Sequence, residues 1–193
     1  GRLGALIPTG LFDNNEIEHF LRKLFEAHGR TNDFRKLSRK LFVIGVELDT
    51  GKTVRFGSEG LDHVPISRAI QASAALPGLY PPVDIDGRWY VDGALKKTLH
   101  ASVALKAGAG LVLCINPLVP FDASLATANL RKVPDSLVDS GLPAVLSQTF
   151  RTMLKSRMQV GLDKYQKTHE RADLLVFEPS PDDVEMFFTN PFS

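Results

Sequence analysis

Hydrophobic and polar positions follow two different periods along this chain, and the switches between them mark out its elements. Ile17, Phe20, Leu21, Leu24 and Phe25 recur at helical spacing after Asp13-Asn14-Asn15-Glu16, a string with the form of a capping box. Gly29 is placed to stop that helix. Leu41-Phe42-Val43-Ile44-Gly45-Val46 is a short apolar run rich in β-formers and predicts a buried strand. Asp49-Thr50-Gly51-Lys52 then turns the chain into Thr53-Val54-Arg55-Phe56, which predicts a hairpin. A second helical period, Ile66, Ala69, Ile70, Ser73 and Ala74, is stopped by Pro77-Gly78. Pro81-Pro82 stiffens the approach to a second hairpin. Val83 and Ile85 alternate with Asp84 and Asp86, Asp86-Gly87 is a two-residue turn signal, and Trp89 and Val91 resume the alternation. The returning strand ends at Asp92-Gly93, where a carboxylate projects from a strand terminus into a turn that glycine permits.

The second half continues the alternation of helix and strand. His100 to Ala107 reads as a helix ended by Gly108, and Leu111 to Ile115 as a second buried strand stopped by Asn116-Pro117. Strand, helix and strand in that order need a crossover, which favours parallel pairing. Leu118 to Asp139, rich in Pro, Asp and Ser, reads as a surface loop. Leu142, Val145, Leu146, Thr149, Phe150, Met153 and Leu154 keep a clean helical period, with Pro143 acceptable in the first turn. Met153 on that stripe reads as core filling. Leu174-Leu175-Val176-Phe177 predicts a last buried strand, ended by Pro179 and Pro181. With no internal repeat, low-complexity tract or interdomain linker, residues 1–193 read as a single α/β domain with a mixed sheet between helices.

Composition narrows the functional classes. Twenty-three basic residues against twenty-two acidic ones leave a net charge of +1, which argues against a dedicated nucleic-acid binder. The single cysteine, Cys114, excludes an internal disulfide and a cysteine-rich metal site, and its place in an apolar run predicts a buried, inert thiol. No apolar run approaches the ~20 residues that span a bilayer, and no signal peptide is visible. His19, His28, His63, His100 and His169 are scattered without two-ligand spacing, so no metal site is expected.

The stretch from Ile66 to His100 resembles the second half of the patatin-like phospholipase family. Ala74-Ala75-Leu76-Pro77-Gly78 fits the family's A-x-x-P-G helix ending, Tyr80-Pro81-Pro82-Val83 its proline run, and Tyr90-Val91-Asp92-Gly93-Ala94 its Y-V-D-G-A strand ending. The resemblance is most specific from Arg68 to Gly93 and runs more loosely from Leu6 to Asn190. It implies a mixed, mostly parallel sheet sandwiched by helices, incomplete at its N-terminal side. It also implies a lipid acyl hydrolase working through a Ser-Asp dyad, with Asp92 as its aspartate and Gly93 as a motif position. The substrate implied is a lipid or other acyl ester, with peripheral membrane contact and a cytoplasmic location. No cofactor is implied. No G-x-S-x-G elbow or glycine-rich oxyanion loop occurs in these 193 residues, so the nucleophile and that loop are expected upstream of Gly1. Gly57-Ser58-Glu59-Gly60 has the wrong glycine spacing for an elbow.

A serine hydroxyl needs a base to take its proton as it attacks, and in a dyad a carboxylate does so without an intervening histidine. An ordinary Asp pKa of about 3.9 makes a weak base at pH 7, and partial burial raises it. Asp-Gly is also a common turn dipeptide, so the bland reading of Asp92-Gly93 is structural; Asp86-Gly87 has only that reading. His100 is placed to approach the site or simply to start a helix. Arg30, Arg35, Lys36, Arg39 and Lys40 form a basic run that reads either as a headgroup contact or as a solvated surface. Phe187, Phe188 and Phe192 read as acyl or membrane contacts or as core packing. Two rival functions stand beside the hydrolase: a catalytically silent lipid-binding or interaction module, and an unrelated esterase using Ser58 or Ser73. Ser67 is a weaker candidate of the same kind.

Overall fold

In a computed structural model, the two predicted hairpins form and meet edge to edge. β1 (Val43–Glu47) pairs with β2 (Thr53–Phe56), β3 (Val83–Ile85) pairs with β4 (Arg88–Asp92), and β1 joins β4 in the order β2-β1-β4-β3. Every pairing in this sheet is antiparallel. The structure describes residues 10–97, 99–128, 136–168 and 172–188. It comprises two compact units, Gly1–Lys96 and Lys97–Ser193.

In the first unit the turn chemistry acts where it is written. Asp86 and Gly87 both adopt positive φ, 54° and 75°, as a type I′ turn requires, and Gly51 does so at the tip of the first hairpin with φ 63°. One sheet face carries Val43, Phe56, Val83, Ile85 and Tyr90, which pack with Ala69 and Ala72 of α2 (Ile66–Ser73). Phe56 is fully buried and meets Tyr90 edge-on at 5.2 Å. Burying one such ring contributes roughly 1.5–3 kcal/mol.

α1 (Asn15–Glu26) lies against α2. The capping box does not form: the Asp13 carboxylate accepts from Asn15 N–H, the next residue but one, at 2.9 Å. Ile17 is buried, whereas Phe20, on the expected stripe, is 58% exposed. α2 in turn is buried on a second side that its apolar period did not show. Ser67 and Gln71 are both buried there. Gln71 Nε2 donates to Asn14 Oδ1 (3.1 Å) and Asn15 Oδ1 (3.0 Å). The basic stretch after α1 is not merely a solvated surface. Phe34 enters the core from it, and Asp33 holds Arg35 by a paired contact.

The second unit holds α3 (Ala101–Lys106), β5 (Leu111–Ile115), α4 (Ala123–Ala128), α5 (Gly141–Thr168), β6 (Asp173–Phe177) and α6 (Val184–Phe188). Its sheet is the parallel pair β5-β6, from Leu111 opposite Asp173 to Ile115 opposite Phe177. Ala101, Leu105, Cys114 and Tyr165 form its core, with Val112, Leu174 and Val176 packed against them.

Several expectations are corrected here. The main sheet among the described residues is antiparallel rather than mostly parallel, because both hairpins join it through β1 and β4. The chain leaving β4 does not cross over to pair with β4; β5 pairs with β6. Neither β5 nor β6 is buried on both faces: Leu111, Leu113, Ile115, Leu175 and Phe177 are 49–76% exposed. α3 and α5 cover the opposite face, so helices do not sandwich this sheet. α4 interrupts the expected loop from Leu118 to Asp139. The apolar stripe of α5 also faces outward in its first half, with Leu142, Val145 and Met153 exposed, so Met153 is not core filling. Gln148, Arg151, Leu154, Met158 and Tyr165 lie on the inward side.

Candidate active site

Asp92 is the last residue of β4, and the register places it opposite Gly45 of β1. Cross-strand partners share a face. Asp92 therefore lies on the same side as Tyr90, toward α2 and the core. Gly45 brings no side chain to the space beside it, and the Phe56 ring fills that space: a Cβ there would come within 3.1 Å of Phe56 Cε2. Glycine inside an apolar strand was the sequence signal for such a close approach.

Two backbone groups fix the carboxylate. Asp92 N–H donates to the carbonyl of Ala75 (3.1 Å), in the turn that follows α2. The A-x-x-P-G segment and the strand ending therefore meet through a main-chain bond. Asp92 Oδ1 accepts from Ala94 N–H at 2.7 Å, capping the short 3-10 turn Gly93–Leu95. Neither Ala75 nor Ala94 was legible as a partner, since both act through the backbone. Among the described residues Oδ2 has no hydrogen-bond donor, so one carboxylate oxygen is tied and the other is unspent.

Burial is the dominant influence on this group, pushing its pKa up to about 6 against the opposing pull of the Ala94 N–H. A carboxylate so shifted is a far better proton acceptor near neutral pH than an ordinary aspartate. Gly93 has a packing role. A Cβ there would stand 2.5 Å from the Ile44 carbonyl oxygen, so only glycine lets the chain turn this close to β1.

The other candidates are placed plainly. Ser67 is fully buried; its hydroxyl donates to Glu18 Oε1 (3.0 Å) and accepts from Asn32 Nδ2 (2.9 Å). That geometry joins α1, α2 and the Asn32 segment and leaves no path for a substrate. Ser58 donates to the Arg55 carbonyl (2.6 Å) inside a tight turn with positive φ at Gly57 and Gly60, not a strand-to-helix elbow. Ser73 ends α2 without a base in hydrogen-bond contact among the described residues. Asp86 pairs with His63 at 2.9 Å on the exposed hairpin tip. His100 is the residue before α3, where its side chain does not cap the helix. Phe187 and Phe188 pack with Phe121, at 5.1 and 5.5 Å, as an aromatic cluster. Phe192 and His169 lie outside the described residues. Cys114 is buried as expected, with its thiol pKa raised by burial. Among the described residues no group of three or more His, Cys, Asp or Glu could hold a metal ion, and no helix is long and apolar enough to cross a membrane.

Comparison with known proteins bears on the same stretch. Residues 1–105, which contain β1 to β4, Asp92 and Gly93, match the family described as patatin-like phospholipase. Over 118 residues the chain is 31% identical to uncharacterized NTE family proteins of Mycobacterium bovis and of two strains of Mycobacterium tuberculosis. Those matches cover 60% of this chain and 16% of each relative, so the chain spans far less than the relatives' length. The family match covers more than half of the sequence and includes the strand ending around Asp92: the chain belongs to the patatin-like phospholipase family.

Proposed function

We propose that this chain is part of a lipid acyl hydrolase that cleaves carboxylic esters through a Ser-Asp dyad, with Asp92 as the base. The observation that carries this reading is the state of Asp92: fixed through Oδ1, unspent at Oδ2 and raised in pKa by burial. Oδ2 would take the proton from a serine hydroxyl as that oxygen bonds the ester carbon, and would then return it to the departing alcohol. Water would release the acyl group by the same steps in reverse. The serine elbow and the oxyanion loop would come from protein upstream of Gly1, because these 193 residues contain no G-x-S-x-G. The two units would belong to one hydrolase domain; the family match running past Lys96 to residue 105 supports this. The substrate would be a phospholipid or another acyl lipid, met by a cytoplasmic protein in peripheral contact with a membrane. Family membership supports the lipid class.

Asp92→Asn in the intact protein tests the mechanism. Loss of ester hydrolysis with the fold retained is the expected result, and retained turnover removes Asp92 from the chemistry. The missing elbow favours a second reading, a silent lipid-binding or interaction module. Labelling the intact protein with a serine-directed fluorophosphonate separates the two, since only the hydrolase reacts.

A further inference from the structure

A different site lies in the second unit, beyond the residues matched to the family, and does not depend on Asp92. On the inward side of α5, Gln148 clamps the backbone of Phe121: Oε1 accepts from its N–H (3.0 Å) and Nε2 donates to its carbonyl (2.7 Å). One turn on, Arg151 Nη1 donates to the carbonyls of Val119 (3.0 Å) and Pro117 (3.3 Å), and Nε donates to Ser147 Oγ (3.3 Å). The Phe187 ring covers the guanidinium at 5.1 Å. A stacked guanidinium keeps its in-plane edge free for hydrogen bonds. Among the described residues, both N–H groups of Nη2 are without an acceptor and no carboxylate pairs with Arg151.

A half-buried cation without a counter-charge is costly, and an anion offering two oxygens in its plane relieves that cost best. Burial alone shifts the Arg151 pKa, downward, and no carboxylate opposes it. Arg151 lines an open hollow of about 180 Å³ whose other walls include Val119, Phe121, Pro181, Met186 and Phe187. Asp183 also borders it, but that carboxylate is turned to α6, where Oδ1 accepts from Met186 N–H at 3.0 Å. A charged fork beside an apolar wall suits a ligand with a carboxylate on a hydrocarbon chain.

We propose that Arg151 and this hollow bind the carboxylate end of an aliphatic acid, with Nη2 on the carboxylate and the first carbons against Val119, Phe121 and Met186. The hollow is too small for more than the head and first carbons, so a longer chain would run out over the surface. Calorimetric titration of the intact protein at fixed ionic strength tests this, with sodium octanoate as ligand, octan-1-ol as its uncharged counterpart and inorganic phosphate as an anion without a chain. Saturable octanoate binding is expected, with both controls at least tenfold weaker. Arg151→Gln should weaken octanoate at least tenfold. Because that change also removes the bonds to Pro117 and Val119, Met186→Trp provides a second variant, placing a bulky ring at an exposed rim position, and should likewise weaken octanoate. Asp92→Asn should leave octanoate binding unchanged, which separates this site from the proposed active site. Absence of saturable octanoate binding, phosphate binding as tightly as octanoate, or full affinity in both Arg151→Gln and Met186→Trp would overturn the proposal.

Discussion

Asp92→Asn should make the protein more stable, and only above a defined pH. Burial raises the Asp92 pKa from 3.8 to about 6. A folded-state pKa above the unfolded one means that the fold prefers the neutral acid. Below pH 4 both states carry it protonated, and the carboxyl imposes no charge penalty. Between pH 4 and 6 the unfolded state ionises first and stability falls, and above 6 the whole cost of an ionised buried carboxylate is present. A shift of this size corresponds to about 3 kcal/mol. Asparagine keeps an amide oxygen for the Ala94 N–H and carries no charge. The variant should therefore match the wild type near pH 3.5 and exceed it by about 3 kcal/mol at pH 8, as read by urea denaturation across that range. Equal stabilities at pH 8, or a gap that does not change with pH, would refute the claim that burial sets the state of this group. A fold that holds its candidate base at such a cost fits the usual trade between stability and activity.

Other expectations follow from the same geometry. Ester hydrolysis by the intact protein should rise with pH through about 6 and then level off, as Asp92 loses its proton; a profile without an inflection in that region would count against Asp92 as base. Gly93→Ala should destabilise by roughly 1–3 kcal/mol through collision with the Ile44 carbonyl, measurable as a lowered thermal midpoint. Gly87→Ala meets no neighbour within 4 Å, so its cost should come from positive φ alone, about 1–2 kcal/mol, and hydrolysis should persist. Ser67→Ala should cost about 1–3 kcal/mol in denaturant titrations, because Glu18 and Asn32 lose a buried partner.

The parts of the fold that sequence made legible are those with local causes. Asp86-Gly87 dictates its own turn, and the turn dictates the β3–β4 pairing, so the strand carrying Asp92 could be placed without knowing its neighbours. Strand direction across the sheet has no such local cause. Nothing within Leu41–Val46 or Trp89–Asp92 indicates that β1 and β4 will run antiparallel. Apolar periodicity also reports that an element forms without reporting which side is covered. In α5 the stripe through Leu142, Val145 and Met153 faces outward because Gln148 and Arg151 are held by carbonyls of the Pro117–Phe121 segment. At the candidate site, Asp92 was readable from its motif. Its holders, Ala75 and Ala94, act through main-chain atoms that any residue supplies.

The two ends of the β3–β4 hairpin differ in what they could tolerate. At one end Asp92 is bound by Ala75, Ala94 and the close packing of Gly93 on β1; at the other, Asp86 is 67% exposed and partnered only by an exposed His63. Extra residues spliced into the tip would have open solvent to occupy and no leverage on the acid three rungs away. Natural diversification or a grafted recognition loop could thus be accommodated at Asp86-Gly87 while the proton-accepting end stays in place.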